Sequence, residues 1–415
     1  MSMASGPEGS PNEAKPIRIA LVHDWLTGMR GGEYVLEAIA EMFPRSDLFT
    51  LIAIPGKLSP ILTTLKRHTS WLQKIPGAEK RYRSFLPLMP RTIESFDLSE
   101  FDLIISTSHC VAKGVKKRPD AVHITYIFAP MRYMWDRFDE YFGKGKASLP
   151  VRLGAAAFRG GMQRWDREVS QPDRIDAIVT LSHFIAERIQ EFYGRKSAVV
   201  YPFADLSRFE LPRRAGRNYL MVGAFAPYKR VDLAIEVFNE LKLPLLIVGG
   251  GQDEARLKKM AGPTVEFLGS LSNAAIADLY SKCRAFVFPG VEDFGITPLE
   301  AMASGAPVIA LKQGGAVETV TSKTGIFFEE QTVEGLRAAV LEMERRHQDF
   351  DPLVCREQAS HFTKERFQRE FYAEIARAWQ AAGKSLPLLE IRIQSGWSVL
   401  ARNGSGGATV LGVRN

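Results

Sequence analysis

The sequence predicts a parallel α/β fold made of two halves that follow one another along the chain. From Ile17 onward, short apolar runs that read as strands alternate with amphipathic helical patterns, which is typical of parallel sheets covered by helices. Glycine-rich turns follow several of these runs, as is common where a strand leads into a helix. A length of 415 residues also exceeds what one hydrophobic core usually supports, so two domains are expected.

Each half is expected to contain several short strands. Those predicted for the first half are residues 17–23, 48–54, 103–106, 123–127, 177–181 and 198–201. Those predicted for the second half are residues 219–223, 245–248, 265–268, 286–288, 308–310 and 326–328. An amphipathic stretch from Thr363 to about Gln380 is expected to form the last long helix.

Composition shifts along the chain suggest where the domains begin and end. The first residues are rich in Ser, Gly, Pro and Glu and lack the apolar core of a signal peptide, which indicates a disordered leader. The expected parts are the leader (1–16), a first domain (17–205), a Pro-, Arg- and Gly-rich linker (206–217), a second domain (218–355), a final helical segment (356–382) and a tail to which no role is assigned (383–415).

The overall composition is that of a soluble globular protein, with 46% hydrophobic and 24% charged residues. No run of eighteen apolar residues exists that would suggest a membrane-spanning helix. Cys110, Cys283 and Cys355 are scattered without metal-ligand spacing, which favours reduced thiols and a cytoplasmic location.

Residues 57–91 form a basic segment with eight Lys or Arg and one acid, Glu79. Aromatic and aliphatic residues are interleaved with the cations, which favours peripheral contact with the inner face of the plasma membrane, or with a lipid diphosphate. The alternative is a solvated basic surface whose aromatic residues face the core. No nucleic-acid recognition motif accompanies the charges, so a nucleic acid partner is not expected.

Two glutamates, Glu292 and Glu300, surround a predicted strand-to-helix turn. The apolar run 286–288 precedes them, and Pro298 is well suited to the first turn of the helix that follows. Ligands of doubly wound sheets bind at the carboxyl ends of strands, where helix N-termini present free amides. Helix capping by a carboxylate would explain Glu300 alone, but not the pair with its intervening residues.

This segment resembles the E-x7-E motif of retaining glycosyltransferases of the GT-B fold (group 1, family 4), particularly GDP-mannose-dependent mannosyltransferases of O-antigen or exopolysaccharide assembly. The resemblance implies two Rossmann-like domains that face each other across a cleft, with a C-terminal helix crossing back to the first. It implies that Glu292 lies beside the transferred sugar and that Glu300 binds the donor ribose. It also assigns Phe294, Gly295 and Ile296 to the donor site.

Two further segments resemble the parts of this family that bind the donor diphosphate. Gly31 and Gly32 precede a helical pattern, where bare backbone amides can approach phosphate oxygens. In the second domain Lys229 occupies the family's lysine position, but Ala224 stands where an arginine is usual. Arg230 is the residue that we expect to supply the second cation. The alternative for Gly31 and Gly32 is a purely structural turn, and the alternative for Lys229 and Arg230 is ordinary surface charge.

Other residues are assigned to the sugar and nucleotide with alternatives left open. The resemblance implies that His109 reaches the donor sugar, whereas a strand-end histidine is otherwise often a hydrogen-bonded structural residue. The segment 126–136 is a candidate acceptor wall or a packed loop, and it carries Phe128 where relatives often have histidine. The glycines at 249–251 and 314–315 could contact the nucleotide or form ordinary turns.

The resemblance therefore predicts a metal-independent retaining transferase that moves mannose from GDP-mannose to a polyprenyl-diphosphate-linked saccharide. A D-x-D metal motif occurs only at 349–351, away from any predicted core strand. Three alternatives remain: a transferase of the same fold using a UDP-sugar or GDP-fucose, a non-catalytic protein that binds sugar nucleotides, and a nicotinamide-dependent oxidoreductase. The absence of the G-x-G-x-x-G spacing disfavours the last of these.

Overall fold

The computed structural model describes residues 17–145, 147–211, 215–251 and 253–384, together with the backbone of 392–393 and 397–398. The predicted leader 1–16 and most of the tail 383–415 lie outside the described residues. Two parallel sheets, one in each half of the chain, form the architecture that the sequence predicts.

The first sheet has seven parallel strands in the order β3-β2-β1-β4-β5-β6-β7. They are β1 (Ile19–His23), β2 (Asp47–Thr50), β3 (Lys66–Thr69), β4 (Leu103–Ser108), β5 (Val122–Ile127), β6 (Ala177–Thr180) and β7 (Ala198–Val199). Strand β3 was not predicted, because its sequence Lys-Arg-His-Thr contains no apolar residue. It forms the sheet edge, where one face of a strand can remain in water.

Helices cover both faces of this sheet. They are α1 (Gly31–Met42), α2 (Pro60–Thr64), α3 (Ala78–Arg81), α4 (Met89–Ile93), α5 (Phe138–Phe142), α6 (Leu149–Glu168) and α7 (His183–Tyr193). Helix α1 follows β1 directly and buries Val35, Leu36 and Ile39 against the sheet at helical spacing. The N-terminus of α1 therefore lies at the carboxyl edge of the sheet.

The second sheet has six parallel strands in the order β10-β9-β8-β11-β12-β13. They are β8 (Tyr219–Val222), β9 (Leu245–Val248), β10 (Val265–Gly269), β11 (Phe286–Phe288), β12 (Val308–Leu311) and β13 (Gly325–Phe328). The helices of this half are α8 (Val231–Leu241), α9 (Glu254–Met260), α10 (Asn273–Lys282), α11 (Ile296–Ala303), α12 (Ala316–Thr319), α13 (Val333–Arg346) and α14 (Pro352–Ser360). The six strands agree with the prediction, and all except β10, which carries the exposed Glu266, are apolar runs between turns.

The last long helix, α15 (Lys364–Ala381), returns to the first domain. Its Gln368 Nε2 donates to the Ala38 carbonyl of α1 at 2.9 Å, and Lys364 Nζ pairs with Glu41 at 2.9 Å. The predicted single segment 356–382 is in fact two helices, since α14 ends at Ser360 and Thr363 caps α15. Helix α14 packs on α11, so the chain crosses between domains at 361–363.

The basic segment 57–91 is folded onto the first sheet. Leu72, Tyr82 and Met89 are buried in the core, so part of its apolar content faces inward. Trp71 and Leu88, by contrast, are about half exposed. Among the helices within the described residues, none is both long enough and apolar enough to cross a bilayer.

Candidate functional site

The centre of the candidate site is an ion pair between Lys229 and Glu292. Lys229 ends a short 3₁₀ turn after β8, and Glu292 lies in the loop between β11 and α11. Because β8 and β11 are neighbours in the sheet, the two loops meet at its carboxyl edge. Both side chains are about four-fifths buried. Burial works against the charge of Lys229, but Glu292 more than offsets it and raises the pKa of the ammonium.

The glycines near these loops allow close approach of backbone segments. A Cβ on Gly249, where φ is +130°, would lie 1.9 Å from the Gly223 carbonyl oxygen. A Cβ on Gly314 would lie 2.5 Å from the Glu292 carbonyl oxygen, and one on Gly315 would lie 2.2 Å from the Phe294 Cα. Close packing accounts for these glycines, because no side chain could be accommodated at these distances.

Glu300 is held by residues far away in the sequence. Its carboxylate accepts hydrogen bonds from Arg208 Nη1 at 3.0 Å and from the Tyr280 hydroxyl at 3.2 Å. Burial raises the pKa of Glu300, and Arg208 partly opposes that shift. The capping explanation for Glu300 is therefore wrong, since its partners are side chains and not the amides of α11. Its predicted contact with a ribose stays a prediction.

The guanidinium of Arg230 already has hydrogen-bond partners within the second domain. Its backbone is left-handed, with φ 51° and ψ 43°, at the residue that precedes α8. Its guanidinium donates to Asp232 at 3.2 Å and to the Gln331 side chain at 3.2 Å. Its predicted role at the diphosphate is untested by this geometry, although binding there would have to compete with these two partners.

Asp24, which the sequence reasoning did not single out, organises the first domain's side of the site. It follows β1, is fully buried, and accepts backbone N–H bonds of 2.6 to 3.0 Å from the four residues 109–112. The same carboxylate lies 3.1 Å from His109 Nδ1. Four donors converging on one carboxylate fix this loop after β4. The available signal was an aspartate placed directly between the first strand and the glycine turn.

The contact with Asp24 sets the chemistry available to His109. Burial lowers the pKa of His109, with Asp24 opposing the shift, so the neutral ring predominates at neutral pH. Nδ1, which lies 3.1 Å from Asp24, is the nitrogen placed to carry the ring proton, and Nε2 would then be the hydrogen-bond acceptor. About a third of the side chain remains exposed. This arrangement suits a group that orients a hydroxyl of a ligand.

Gly31 and Gly32 lie where the two domains meet. A Cβ on Gly31 would lie 3.3 Å from the Ile296 side chain, and one on Gly32 would lie 3.3 Å from the Phe128 ring. Gly31 begins α1 and Ile296 begins α11, so two helix N-termini face each other. Helix N-termini favour anions, because their amides are unpaired and the dipole is positive there. Phe294 packs in the core against Tyr201 and Phe362, and Gly295 has a φ of +90° that permits the turn into α11.

Polar contacts that the sequence did not predict hold the same loops together across the cleft. Arg132, in the predicted acceptor-wall segment, pairs with Asp293 next to Glu292. Ser182 Oγ donates to the Asp293 carbonyl at 2.6 Å, and Arg137 Nη2 donates to the Val291 carbonyl at 3.1 Å. Through Arg132, the segment 126–136 thus contacts the loop of the second domain that carries Glu292, and its role as an acceptor wall stays a prediction.

The part of the chain that the structure describes contains no group of three or more His, Cys, Asp or Glu side chains able to hold a metal ion. The positive groups near Glu292 are side chains and helix N-termini, namely Lys229, Arg132, Arg137 and the starts of α1 and α11. These groups are suited to a multiply charged anion such as a diphosphate.

Two facing α/β domains with a helix that crosses back define the class of protein, which is the GT-B fold. A solved sucrose-phosphate synthase from Thermosynechococcus elongatus superposes with a TM-score of 0.65 at 18% identity, covering 88% of this chain and 100% of that one. Residues 204–354 match the family model described as glycosyl transferases group 1. The chain therefore carries a glycosyl transferases group 1 domain, as predicted.

Curated relatives agree with this assignment. The chain is 34% identical over 249 residues to a GDP-mannose-dependent alpha-mannosyltransferase of Mycolicibacterium smegmatis, covering 54% of this chain and 63% of the relative. It is 33% identical over 149 residues to the O-antigen chain mannosyltransferase RfbU of Salmonella typhimurium, covering 33% of this chain and 42% of the relative. The matches thus span about half the length of these relatives.

Proposed function

We propose that this protein is a retaining glycosyltransferase that moves mannose from GDP-mannose to a saccharide acceptor. The contact between Lys229 and Glu292 is the observation that carries the proposal, because it joins the predicted diphosphate and sugar residues at one sheet edge. The mannosyltransferase names of the relatives support the choice of sugar, and the GDP-mannose dependence of one of them supports the donor.

The proposed reaction exchanges one bond at the anomeric carbon for another. The bond from this carbon to the diphosphate oxygen breaks, and its electron pair leaves with the GDP. An acceptor hydroxyl bonds to the same face of the sugar, and its proton passes to an oxygen of the leaving diphosphate. Lys229 and the N-termini of α1 and α11 would stabilise the leaving charge, which lets the reaction run without a metal.

Glu292 and His109 would act on the sugar itself. Glu292 would bind sugar hydroxyls and stabilise positive charge as it develops at the anomeric carbon. His109 Nε2 would accept a hydrogen bond from a sugar hydroxyl, with Asp24 holding the ring in place. Glu300 would bind the ribose, and Phe294, Gly295 and Ile296 would shape the donor site between them.

We also propose that the acceptor is linked to a polyprenyl diphosphate and is reached at a membrane surface. In addition to the basic segment 57–91, the first domain exposes Leu149, Val151 and Leu153 on helix α6, each by half or more. Residues 141–165 contain no acid and five Lys or Arg. Exposed aliphatic residues among cations favour an anionic lipid surface, through apolar insertion and charge attraction.

The donor is tested by thermal melting with GDP, UDP, ADP and their mannose and glucose conjugates, without added metal. Selective stabilisation by GDP and GDP-mannose supports the proposal, and proton NMR of the glycosidic product then tests retention of configuration. Stabilisation by UDP instead favours a UDP-sugar transferase of the same fold. If sugar nucleotides bind but their sugar is never released, the protein is a non-catalytic binder of sugar nucleotides and not an enzyme.

Membrane contact is tested by co-sedimentation with vesicles of phosphatidylcholine alone or with phosphatidylglycerol. Replacing Leu149 and Leu153 by Ser should weaken binding to the anionic vesicles about tenfold or more, since each buried leucine contributes about 1.5–3 kcal/mol. Leu353→Ser is the matched control, because Leu353 is equally exposed on α14 in the other domain. Equal binding to both kinds of vesicle, or none, contradicts the proposal.

A further inference from the structure

The second domain lacks one of the two cations that the family resemblance leads us to expect at the diphosphate. Ala224 stands at the usual arginine position and lines the pocket beside Lys229. Arg230, the nearest arginine in the sequence, is bonded to Asp232 and Gln331. Lys229 is therefore the cation of this domain that the structure places against Glu292.

A cation from the first domain occupies this neighbourhood. Arg132 lies in the loop after β5 and crosses the cleft to pair with Asp293, the residue that follows Glu292. Its guanidinium carbon lies 5.8 Å from the centre of the Tyr228 ring, and Lys229 Nζ lies 5.9 Å from the same centre. Arg132 and Lys229 therefore reach the same small region from opposite domains.

Arg132 also keeps hydrogen-bond donors available. Among the described residues its guanidinium makes one hydrogen bond, through Nη2 to Asp293, whereas a guanidinium has five N–H donors. A quarter of its side chain is exposed. Burial disfavours the charge, but Asp293 and, less strongly, Tyr228, Tyr141 and Glu292 hold the pKa of Arg132 above its ordinary value, so the side chain is cationic.

We propose that Arg132 supplies the second cation of the diphosphate site, in place of the arginine that Ala224 replaces. The inference rests on the proposed function and extends it to a residue of the opposite domain. Its guanidinium contacts phosphate oxygens of the donor while Asp293 orients it. Arginine suits this role because its planar fork binds two phosphate oxygens at once.

A cation donated across the cleft links diphosphate binding to the relative position of the domains. The diphosphate is bound by Lys229 from one side and by Arg132 from the other, so full charge compensation needs both domains in place. An arginine at position 224 would act from the same domain as Lys229 and would create no such link. Release of the nucleoside diphosphate would then require Arg132 to withdraw.

Calorimetric titration of Arg132→Met with GDP and with GMP tests the assignment. Removal of one charge-assisted contact should weaken GDP binding about 10- to 100-fold. GMP lacks the second phosphate, so its affinity should fall much less. Arg132→Lys keeps the charge without the fork and should show an intermediate loss for GDP. This second variant also keeps the test valid if Arg132→Met folds poorly.

The Asp293→Asn variant distinguishes two roles of Arg132, contact with the diphosphate and a purely structural ion pair between the domains. If Arg132 only ties the domains together through Asp293, Arg132→Met and Asp293→Asn should lower the affinity for GDP equally, and that result overturns the proposal. If Arg132 contacts the diphosphate, Asp293→Asn should weaken GDP much less than Arg132→Met does, because the asparagine oxygen can still accept from the guanidinium. Arg377→Met, at an exposed site on α15, is the control for loss of one positive charge.

Arg230→Met tests the rival assignment from the sequence. A large loss of GDP affinity in Arg230→Met with none in Arg132→Met would overturn the proposal and leave the proposed function intact. If the wild-type protein binds none of GDP, UDP and ADP, the proposed function itself fails. The two failures are therefore distinguishable.

Discussion

Glu292→Gln should separate the sugar role of Glu292 from its electrostatic effect on Lys229. In the structure Glu292 pairs with Lys229, so a diphosphate has to compete with this carboxylate for the ammonium group. Glutamine keeps the size of the side chain and removes the charge. We therefore expect nucleotide affinity and turnover to change in opposite directions.

The size of each effect follows from burial and charge. An exposed ion pair contributes about 0.2–1 kcal/mol, and this pair is about four-fifths buried, so about 1 kcal/mol is a fair value for the competition. Its removal should tighten GDP binding about fivefold at neutral pH. Loss of a group that stabilises the transition state costs about 2.7–4 kcal/mol, so turnover should fall about 100- to 1000-fold.

The gain in GDP affinity should also depend on pH. Glu292 raises the pKa of Lys229 in the wild type, so the ammonium stays charged into the alkaline range. Without Glu292, burial and the nearby Arg132 act against the charge and Tyr228 alone still favours it, so the pKa of Lys229 falls. The Glu292→Gln variant should therefore bind GDP more tightly than the wild type at neutral pH. As the pH rises, its affinity for GDP should begin to fall at a lower pH than that of the wild type.

Calorimetric titration with GDP and a GDP-release assay measure the two quantities. Glu329→Gln is the control, because it removes an exposed carboxylate that pairs with Lys312 away from the ion pair of Lys229. Equal losses of GDP affinity and turnover in Glu292→Gln would refute the reasoning. That result would assign Glu292 to the nucleotide and not to the sugar.

Three further predictions concern the donor site, pH and packing. Lys229→Ala should weaken GDP about tenfold or more and guanosine much less; equal losses by calorimetry would remove Lys229 from the diphosphate. Burial lowers the pKa of His123 to about 4, so its neutral ring should stabilise the fold fully above about pH 6.5, and up to about 3 kcal/mol of the free energy of unfolding should be lost as the pH falls toward 4. Thermal melting at graded pH measures this loss, which should be smaller in His123→Gln. Gly249→Ala should lower the free energy of unfolding by more than about 2 kcal/mol, because its Cβ would overlap the Gly223 carbonyl. Gly154→Ala is the control and should not destabilise the protein, because there is open space around Gly154 in α6; equal melting temperatures of the two variants would contradict the packing role of Gly249.

The fold was largely predictable because its signals are local. The strands of the second sheet, apart from β10 with its exposed Glu266, are apolar runs bounded by turn residues, and such runs can be recognised without knowing their neighbours. The turn that carries Glu292 and Glu300 was found in the same way, from a strand, a turn and a helix in immediate succession. Strand β3 escaped prediction because its residues 66–69 are polar and only the neighbouring strand β2 makes them a strand.

The site was only partly predictable, because its side chains are brought together from distant parts of the chain. Asp24 contacts the backbone of His109 across 85 positions, and Arg132 reaches Asp293 across 161. Neither pair has a spacing that could be read along the chain.

The sequence by itself therefore determined two parallel sheets, the strand-to-helix turns and the residue types that stand there, since each depends on neighbours along the chain. The tertiary structure decided which of those residues meet: Lys229 with Glu292, Glu300 with Arg208, and Arg230 with Gln331. Such meetings depend on strand order and on the closing of two domains, and both arise from packing between segments far apart in the sequence.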